Sequence, residues 1–149
     1  MDFKNAEELL SLCRRESVPI SRIMLLRECS LAETDTQTVM QRMGKALSIM
    51  RSSATIPLTK TVRSMGGLIG GQAQLLSAHR QAGKSICGAV LQKAVTYAMA
   101  VLEVNASMGL IVAAPTAGAS GVVPGLLLAL QEEYDISDER LLEGLLNAG

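Results

Sequence analysis

The sequence predicts an all-α fold, a multi-helix single domain that spans residues 1–149. Apolar residues recur with the 3.6-residue period of an amphipathic helix in nearly every segment. Phe3, Tyr97 and Tyr134 are the only aromatic residues, so the core must be built from aliphatic side chains. No pair of alternating segments is joined by a hairpin turn, and 149 residues suit one domain.

The first third of the chain predicts three helices. "NAEELLSLCRRES" begins with Asn5 as the N-cap, and Glu8 follows three residues later as in a capping box. Pro19 then marks a break and the first turn of a second helix, "PISRIMLLRECS". The third helix, "TDTQTVMQRMGKALSIMRSSA", has a regular apolar stripe, and we expect Pro57 to end it.

The middle of the chain predicts a loop and two further helices. "PLTKTVRSMGGLIGG" is typical of an irregular connection between the surface and a site. "QAQLLSAHRQAG" predicts a short helix that Gly83 closes at its C-terminal end. "GAVLQKAVTYAMAVLEVNASMG" is apolar around most of its circumference, so we expect the central buried helix here.

The C-terminal third predicts two more helices, "GLLLALQEEYD" and "SDERLLEGLLNAG", the second with Ser137 as its N-cap. "GLIVAAP" is too short to decide between a strand and a loop. The last helix has an apolar stripe for which little sequence remains as a partner. We therefore expect an incomplete part of a larger domain, or an oligomer in which this stripe associates; its residues are Leu141, Leu142, Leu145 and Leu146.

Composition and charge exclude several classes of function. Lys and Arg together number 14, as do Asp and Glu, so no net field attracts nucleic acid or an anionic membrane. The acidic, amphipathic N-terminus differs from a signal or transit peptide. Cys13, Cys29 and Cys87 are widely spaced and odd in number, which favours reduced thiols in a cytoplasmic protein.

The segment from Val104 to Gln131 carries no charge, although Asn105, Pro115 and several other polar or turn-forming residues interrupt it. Those interruptions exclude a membrane span, which needs about 20 continuous apolar residues. Within the segment, "PTAGASGVVPG" places Thr116, Gly118 and Ser120 just before a helix N-terminus, where amides and hydroxyls can converge on a carboxylate or phosphate. Close helix packing through small residues is the alternative interpretation.

Two other glycine-containing segments are candidate anion sites. Lys84 and Ser85 follow Gly83, but Ala78 occupies the position where a Walker A loop needs its first glycine. The local sequence alone favours a helix C-cap with a solvated lysine for this segment. "GGLIGG", which ends at Gly70 and Gly71, could form an anion-binding nest or a flexible link. The single histidine, His79, is expected on the surface, and neither a catalytic triad nor a metal site is predicted.

Three segments together resemble the α chain of the iron–sulfur-dependent bacterial L-serine dehydratases. They are "GGLIGGQAQLL", "GKSICG" and "EVNASMGLIVAAPTAGASGVVPG", in this order between about Gly66 and Gly125. The family commonly has "LTGGD" where this chain has "LIGGQ", so Ile69 and Gln72 replace a hydroxyl and a carboxylate. The resemblance implies the N-terminal part of a helical catalytic domain.

The resemblance also implies the reaction and its components. Water is eliminated from L-serine to give pyruvate and ammonia, a step of amino-acid degradation and gluconeogenesis, with a four-iron, four-sulfur cluster acting as Lewis acid. The family's cluster ligands lie beyond the point that matches Gly149, so no cluster and no activity are expected of this chain alone. A separate regulatory β chain is the implied partner.

For the substrate site we expect Thr116, Gly118 and Ser120 to face the serine carboxylate, and Asn105 to lie near the amino group. Lys84 and Ser85 would come from a facing segment, and Gly70 and Gly71 would contribute backbone amides; no catalytic base is assigned. Two alternatives remain open. One is a pyridoxal-phosphate lyase with Lys84 as the Schiff base, and the other is a non-catalytic helical binding module.

Overall fold

The computed structural model describes residues 2–148 and forms seven α-helices, with no strand in that range. The all-α prediction is therefore confirmed, and "GLIVAAP" is coil rather than a strand. The helices, in chain order, are α1 (Ala6–Glu16), α2 (Ile20–Leu31), α3 (Thr36–Thr59), α4 (Gln72–Gln81), α5 (Ala89–Ala106), α6 (Val122–Tyr134) and α7 (Asp138–Ala148).

Side-chain caps fix the starts of α1 and α3. The Asn5 side chain accepts a hydrogen bond from the Glu8 N–H at 2.9 Å, as the sequence predicts for α1. Asp35 caps α3 in the same way and accepts from the Thr38 N–H at 2.8 Å. This hydrogen bond favours the ionised form, so it lowers the pKa of the Asp35 carboxyl. Pro19 stands at the N-cap of α2, immediately before its first helical residue.

Helix α5 is the central element, because α3, α4 and α6 all pack around it. Tyr97, Ala100 and Val101 of α5 are buried, and Tyr97 is the only aromatic residue of the core that they form. The remaining core side chains come from α3, α6 and α7 and include Leu47, Met50, Ala54, Leu128, Leu141 and Leu145. The predictions of an aliphatic core and of a central helix in this segment are both confirmed.

Two helix boundaries differ from the sequence prediction, and both involve proline. Helix α3 continues through Pro57 to Thr59. Pro57 lacks one backbone hydrogen bond, but it lies in the last turn and is fully buried, so its packing offsets that loss. Helix α6 begins at Val122, three residues earlier than predicted, and holds Pro124 in its first turn. A proline is tolerated there because first-turn N–H groups have no partner within the helix.

The apolar stripe of α7 is covered within the chain. Leu141, Leu145 and Leu146 are each less than one-tenth exposed, because α2, α3 and α6 pack against this helix. Arg51 of α3 also binds the Asp138 carboxylate at 2.7 Å and holds the start of α7 in place. The expectation that this stripe lacks a partner is wrong, since the N-terminal helices return to cover it.

Helices α5 and α6 are in direct backbone contact through small residues. A Cβ at Gly121 would lie 2.7 Å from the Ala98 carbonyl oxygen, and one at Gly125 would lie 2.6 Å from the Ala94 carbonyl oxygen. Both distances are too short for any side chain. At these two glycines the close-packing interpretation of the small residues is therefore correct, and the contact places the segment before α6 directly beside α5.

Candidate functional site

A cavity of about 310 Å³ lies between α5 and the turn that precedes α6. Three of the sequence-predicted site residues line it: Asn105 in the last turn of α5, and Gly118 and Ser120 in the turn. Val95, Met99 and Val122 contribute apolar walls, and no residue that lines this cavity is charged. The structure thus brings together the two halves of the charge-free segment around one space.

Hydrogen bonds within the turn hold it in one shape. The Thr116 hydroxyl oxygen accepts from the Ala119 N–H at 3.2 Å, and the Ser120 hydroxyl donates to the Ala117 carbonyl oxygen at 2.7 Å. The N–H groups of Ala117 and Gly118 have no acceptor among residues 2–148, and both residues line the cavity. Two successive amides without acceptors can bind a carboxylate or another anion.

Gly118 differs from its neighbouring glycines in what surrounds it. A Cβ at Gly118 would meet only the Thr116 hydroxyl oxygen, at an ordinary contact distance of 3.8 Å. Packing within the described chain therefore does not require glycine at this position, whereas it does at Gly121 and Gly125. A glycine that faces a cavity without being needed for packing is typical of a place where a ligand approaches the backbone.

Ser85 lies on a second, smaller cavity of about 170 Å³, between the end of α4 and the start of α5. Val95 lines both cavities, so Ser85 and the turn before α6 flank the same side of α5. Lys84 is exposed and lines neither of them. His79 is exposed, as predicted, and its Nε2 lies 3.1 Å from the Lys84 carbonyl oxygen.

Gly70 and Gly71 lie at the N-terminus of α4, away from the cavity. A Cβ at Gly70 would collide with the Val62 carbonyl oxygen, and the backbone there has a φ of +157°. The Gly70 N–H donates to the Gln72 side-chain oxygen at 2.6 Å, so this amide already has an acceptor. The structure does not bring these glycines to Asn105 and Ser120, and it explains Gly70 by the geometry of the turn.

Comparison with known proteins identifies the family. The family model described as "Serine dehydratase alpha chain" matches residues 15–149. This chain belongs to the serine dehydratase alpha-chain family. The match covers α2 to α7 completely and the last two residues of α1, so it extends over nearly all of the described fold.

Individual members of the family are similar along nearly the entire chain. The probable L-serine dehydratase alpha chain of Bacillus subtilis is 38% identical over 147 residues, which are 99% of this chain and 49% of that protein. The L-serine dehydratase alpha chain of Peptoniphilus asaccharolyticus is 34% identical over 98% of this chain and 50% of its own length. An L-serine dehydratase of Helicobacter pylori is 33% identical over 85% of this chain and 28% of its own length. The chain spans about half the length of the first two relatives.

The sequence prediction missed one buried polar residue of this family member, Glu103. Its side chain is 0% exposed, and its Oε1 accepts a hydrogen bond from the Ala73 N–H at 2.9 Å. Glu103 thereby caps the first turn of α4, where the positive end of the helix dipole favours a carboxylate. Its Oε2 has no partner among residues 2–148. Gln92 and Thr96 lie on the same buried face of α5, and this polar spacing was the available signal.

We expect Glu103→Ala to lower the free energy of unfolding by about 1–3 kcal/mol, because the Ala73 N–H loses its buried acceptor. Glu103→Gln should lose less stability than Glu103→Ala, since its side-chain amide oxygen can accept the same hydrogen bond from the Ala73 N–H. Urea unfolding followed by circular dichroism measures both. An equal loss of stability in the two variants would contradict this role of Oε1.

The described part of the chain offers no ligand set for a metal ion or cluster. No three Cys, His, Asp or Glu side chains converge within residues 2–148. Cys13 lies on α1, Cys29 on α2, and Cys87 in the loop before α5, and all three are free thiols. In the same range of residues, no helix is both long and apolar enough to cross a membrane.

Proposed function

We propose that this chain forms the N-terminal part of the catalytic domain of an L-serine dehydratase. The complete protein would eliminate water from L-serine and release pyruvate and ammonia. Membership in the serine dehydratase alpha-chain family supports the proposal, and so do the names of the relatives from Bacillus subtilis and Peptoniphilus asaccharolyticus. Those relatives are about twice as long as the matched segment, so the activity is proposed for the complete protein.

One observation carries the assignment of the substrate site: the cavity between α5 and the turn before α6 combines polar groups with an absence of charge. The free N–H groups of Ala117 and Gly118 suit the carboxylate of an amino acid. The Asn105 amide, on the opposite wall, would accept a hydrogen bond from the amino group. A nearby Asp or Glu would repel the carboxylate, which gives the uncharged lining a chemical reason.

The same groups would assist the elimination. Removal of the Cα proton places negative charge on Cα and on the adjacent carboxylate, and loss of the β-hydroxyl as water leaves aminoacrylate. Aminoacrylate rearranges to an imine, which water hydrolyses to pyruvate and ammonia. Amides held in a fixed turn stabilise the developing charge without reorganising, because the hydrogen bonds of Thr116 and Ser120 already fix their directions.

The iron–sulfur cluster implied by the family resemblance does not fit the residues of this chain. Cys13, Cys29 and Cys87 belong to three separate segments and no ligand set forms among the described residues. We therefore place the cluster ligands in the half of the family's polypeptide that this chain does not match. The proposed partner is a separate regulatory β chain, which the relatives' designation "alpha chain" suggests, in an oligomeric cytoplasmic enzyme.

The test is a pyruvate assay with L-serine on the complete dehydratase, reconstituted anaerobically with iron and sulfide, beside residues 1–149 treated identically. We expect pyruvate from the complete protein and none from residues 1–149. Absorption spectra address the alternative pyridoxal-phosphate mechanism, since a Schiff base at Lys84 would give a band that borohydride removes. Such a band, or a complete protein that forms no pyruvate, would contradict the proposal.

A further inference from the structure

Helix α5 leaves an apolar strip uncovered between α4 and α6. Leu91, Val95 and Leu102 of α5 are 55%, 45% and 44% exposed and follow one another along one side of the helix. On the neighbouring helix α6, Val122 and Leu126 are 63% and 48% exposed. We call these five residues the α5–α6 strip. Contiguous exposed apolar side chains of this kind mark interaction surfaces.

The shape and charge of the surroundings indicate an apolar occupant. Val95, Leu102 and Val122 of the strip line the cavity of about 310 Å³, and Val95 also lines the one of about 170 Å³, so this part of the strip is the floor of a trough. Neither cavity has a lysine, arginine, aspartate or glutamate in its lining. A solvated face of a helix normally carries such residues, and their absence favours an aliphatic partner over a polar one.

The described chain covers its other long apolar helix face by itself. Leu141, Leu145 and Leu146 of α7 are buried against α2, α3 and α6, whereas the α5–α6 strip is left open by residues 2–148. Burying the strip would remove apolar surface from water, which contributes about 25 cal/mol of binding free energy for each Å² buried. A partner that adds one helix beside α4 and α6 would complete the layer around α5.

The lengths of the relatives indicate which polypeptide this is. The Bacillus subtilis alpha chain matches 99% of this chain with only 49% of its own length, so about as many residues again lie outside the match. We propose that the α5–α6 strip is a docking groove for an apolar helix from that unmatched half of the family's polypeptide. The inference rests on family membership and not on the proposed reaction.

Docking there would also complete the substrate site. Gly118 and Ser120 line the cavity at the strip, and Ser85 lines the adjoining one. A helix seated on Val95 and Leu102 would close both cavities on their open side. The same event would then exclude water from the free amides of Ala117 and Gly118, which is the condition under which such groups stabilise charge most strongly.

Thiol labelling tests the proposal without requiring turnover. Val95→Cys and Leu102→Cys are compared in residues 1–149 and in the complete dehydratase, which adds the remaining half of the alpha chain on the same or on a separate polypeptide. Mass spectrometry of the labelled peptides separates the new thiols from Cys13, Cys29 and Cys87. Leu31→Cys is the control, because Leu31 is 68% exposed on α2, away from the strip.

We expect both strip thiols to react at least about a hundredfold more slowly in the complete protein, with Leu31→Cys equally fast in the two forms. Equal labelling of the strip thiols in both forms would overturn the proposal. If the strip thiols of residues 1–149 alone become protected from labelling as the protein concentration rises, the occupant is instead a second copy of this chain. Protection that needs the β chain would identify that chain, and either result would also overturn the proposal. A protected strip, together with an unsubstituted complete protein that forms no pyruvate, would refute only the proposed reaction.

Discussion

Replacing Gly118 by valine in the complete dehydratase should lower the turnover of L-serine by about a hundredfold or more while the protein stays folded. The described chain has room for the side chain, since a Cβ there meets only the Thr116 hydroxyl oxygen at 3.8 Å. The isopropyl group would instead occupy the cavity and cover the free N–H groups of Ala117 and Gly118. Loss of one such donor typically costs a hundred- to thousandfold in rate.

Gly44→Val is the matched control for this experiment. Gly44 lies on α3, and a Cβ there meets nothing within 4 Å, so both variants add the same side chain to a position without a steric clash. Steady-state pyruvate formation is measured at equal iron content, and thermal unfolding shows whether each variant is folded. If Gly118→Val retains turnover within a few-fold of the parent, the turn before α6 does not bind the substrate.

Replacing Gly125 by valine should destabilise the fold by about 3 kcal/mol or more, at the upper end of what overpacking usually costs. A Cβ at this position would lie 2.6 Å from the Ala94 carbonyl oxygen and 3.1 Å from the Ala98 N atom. Both obstacles are backbone atoms of the central helix, so no rotamer change relieves the contact. Helix α6 would have to move away from α5, which would also widen the cavity.

Chemical denaturation of residues 1–149 measures this loss. Gly44→Val should be at least as stable as the parent, since that position has open space and valine has a higher helix propensity than glycine. A Gly125→Val chain as stable as the Gly44→Val chain would show that the α5–α6 contact is looser than the distances at Gly125 imply.

Periodicity and capping signals predicted the helices well because local physics determines them. Asn5 and Asp35 cap their helices through their own side chains, and the apolar circumference of α5 identifies it as central. The predictions that failed concern features that depend on tertiary packing. Pro57 remains helical because its neighbours bury it, and α7 is covered by helices from the other end of the chain. Neither contact can be recognised from the pattern of neighbouring residues in the sequence.

The candidate site could be predicted only in part. Asn105, Gly118 and Ser120 were found because a long uncharged segment rich in turn residues is unusual, and they do share one cavity. Lys84 was chosen for its charge, and the structure leaves it exposed outside that cavity. Glu103 was missed, since its partner is a backbone amide of α4, thirty residues away in the chain, and no side-chain motif encodes such a pair.

The backbone contact of α6 with α5 has a consequence for motion. Where side chains separate two helices, rotamer changes let them slide and loosen separately, but Gly121 and Gly125 bring α6 directly against Ala94 and Ala98. We therefore expect α5 and α6 to open in one cooperative step, so that their amide hydrogens exchange with solvent together. Helix α1, which buries none of its residues, would exchange first and on its own. The turn that carries Gly118 is joined to this pair of helices at Gly121, which lies against Ala98.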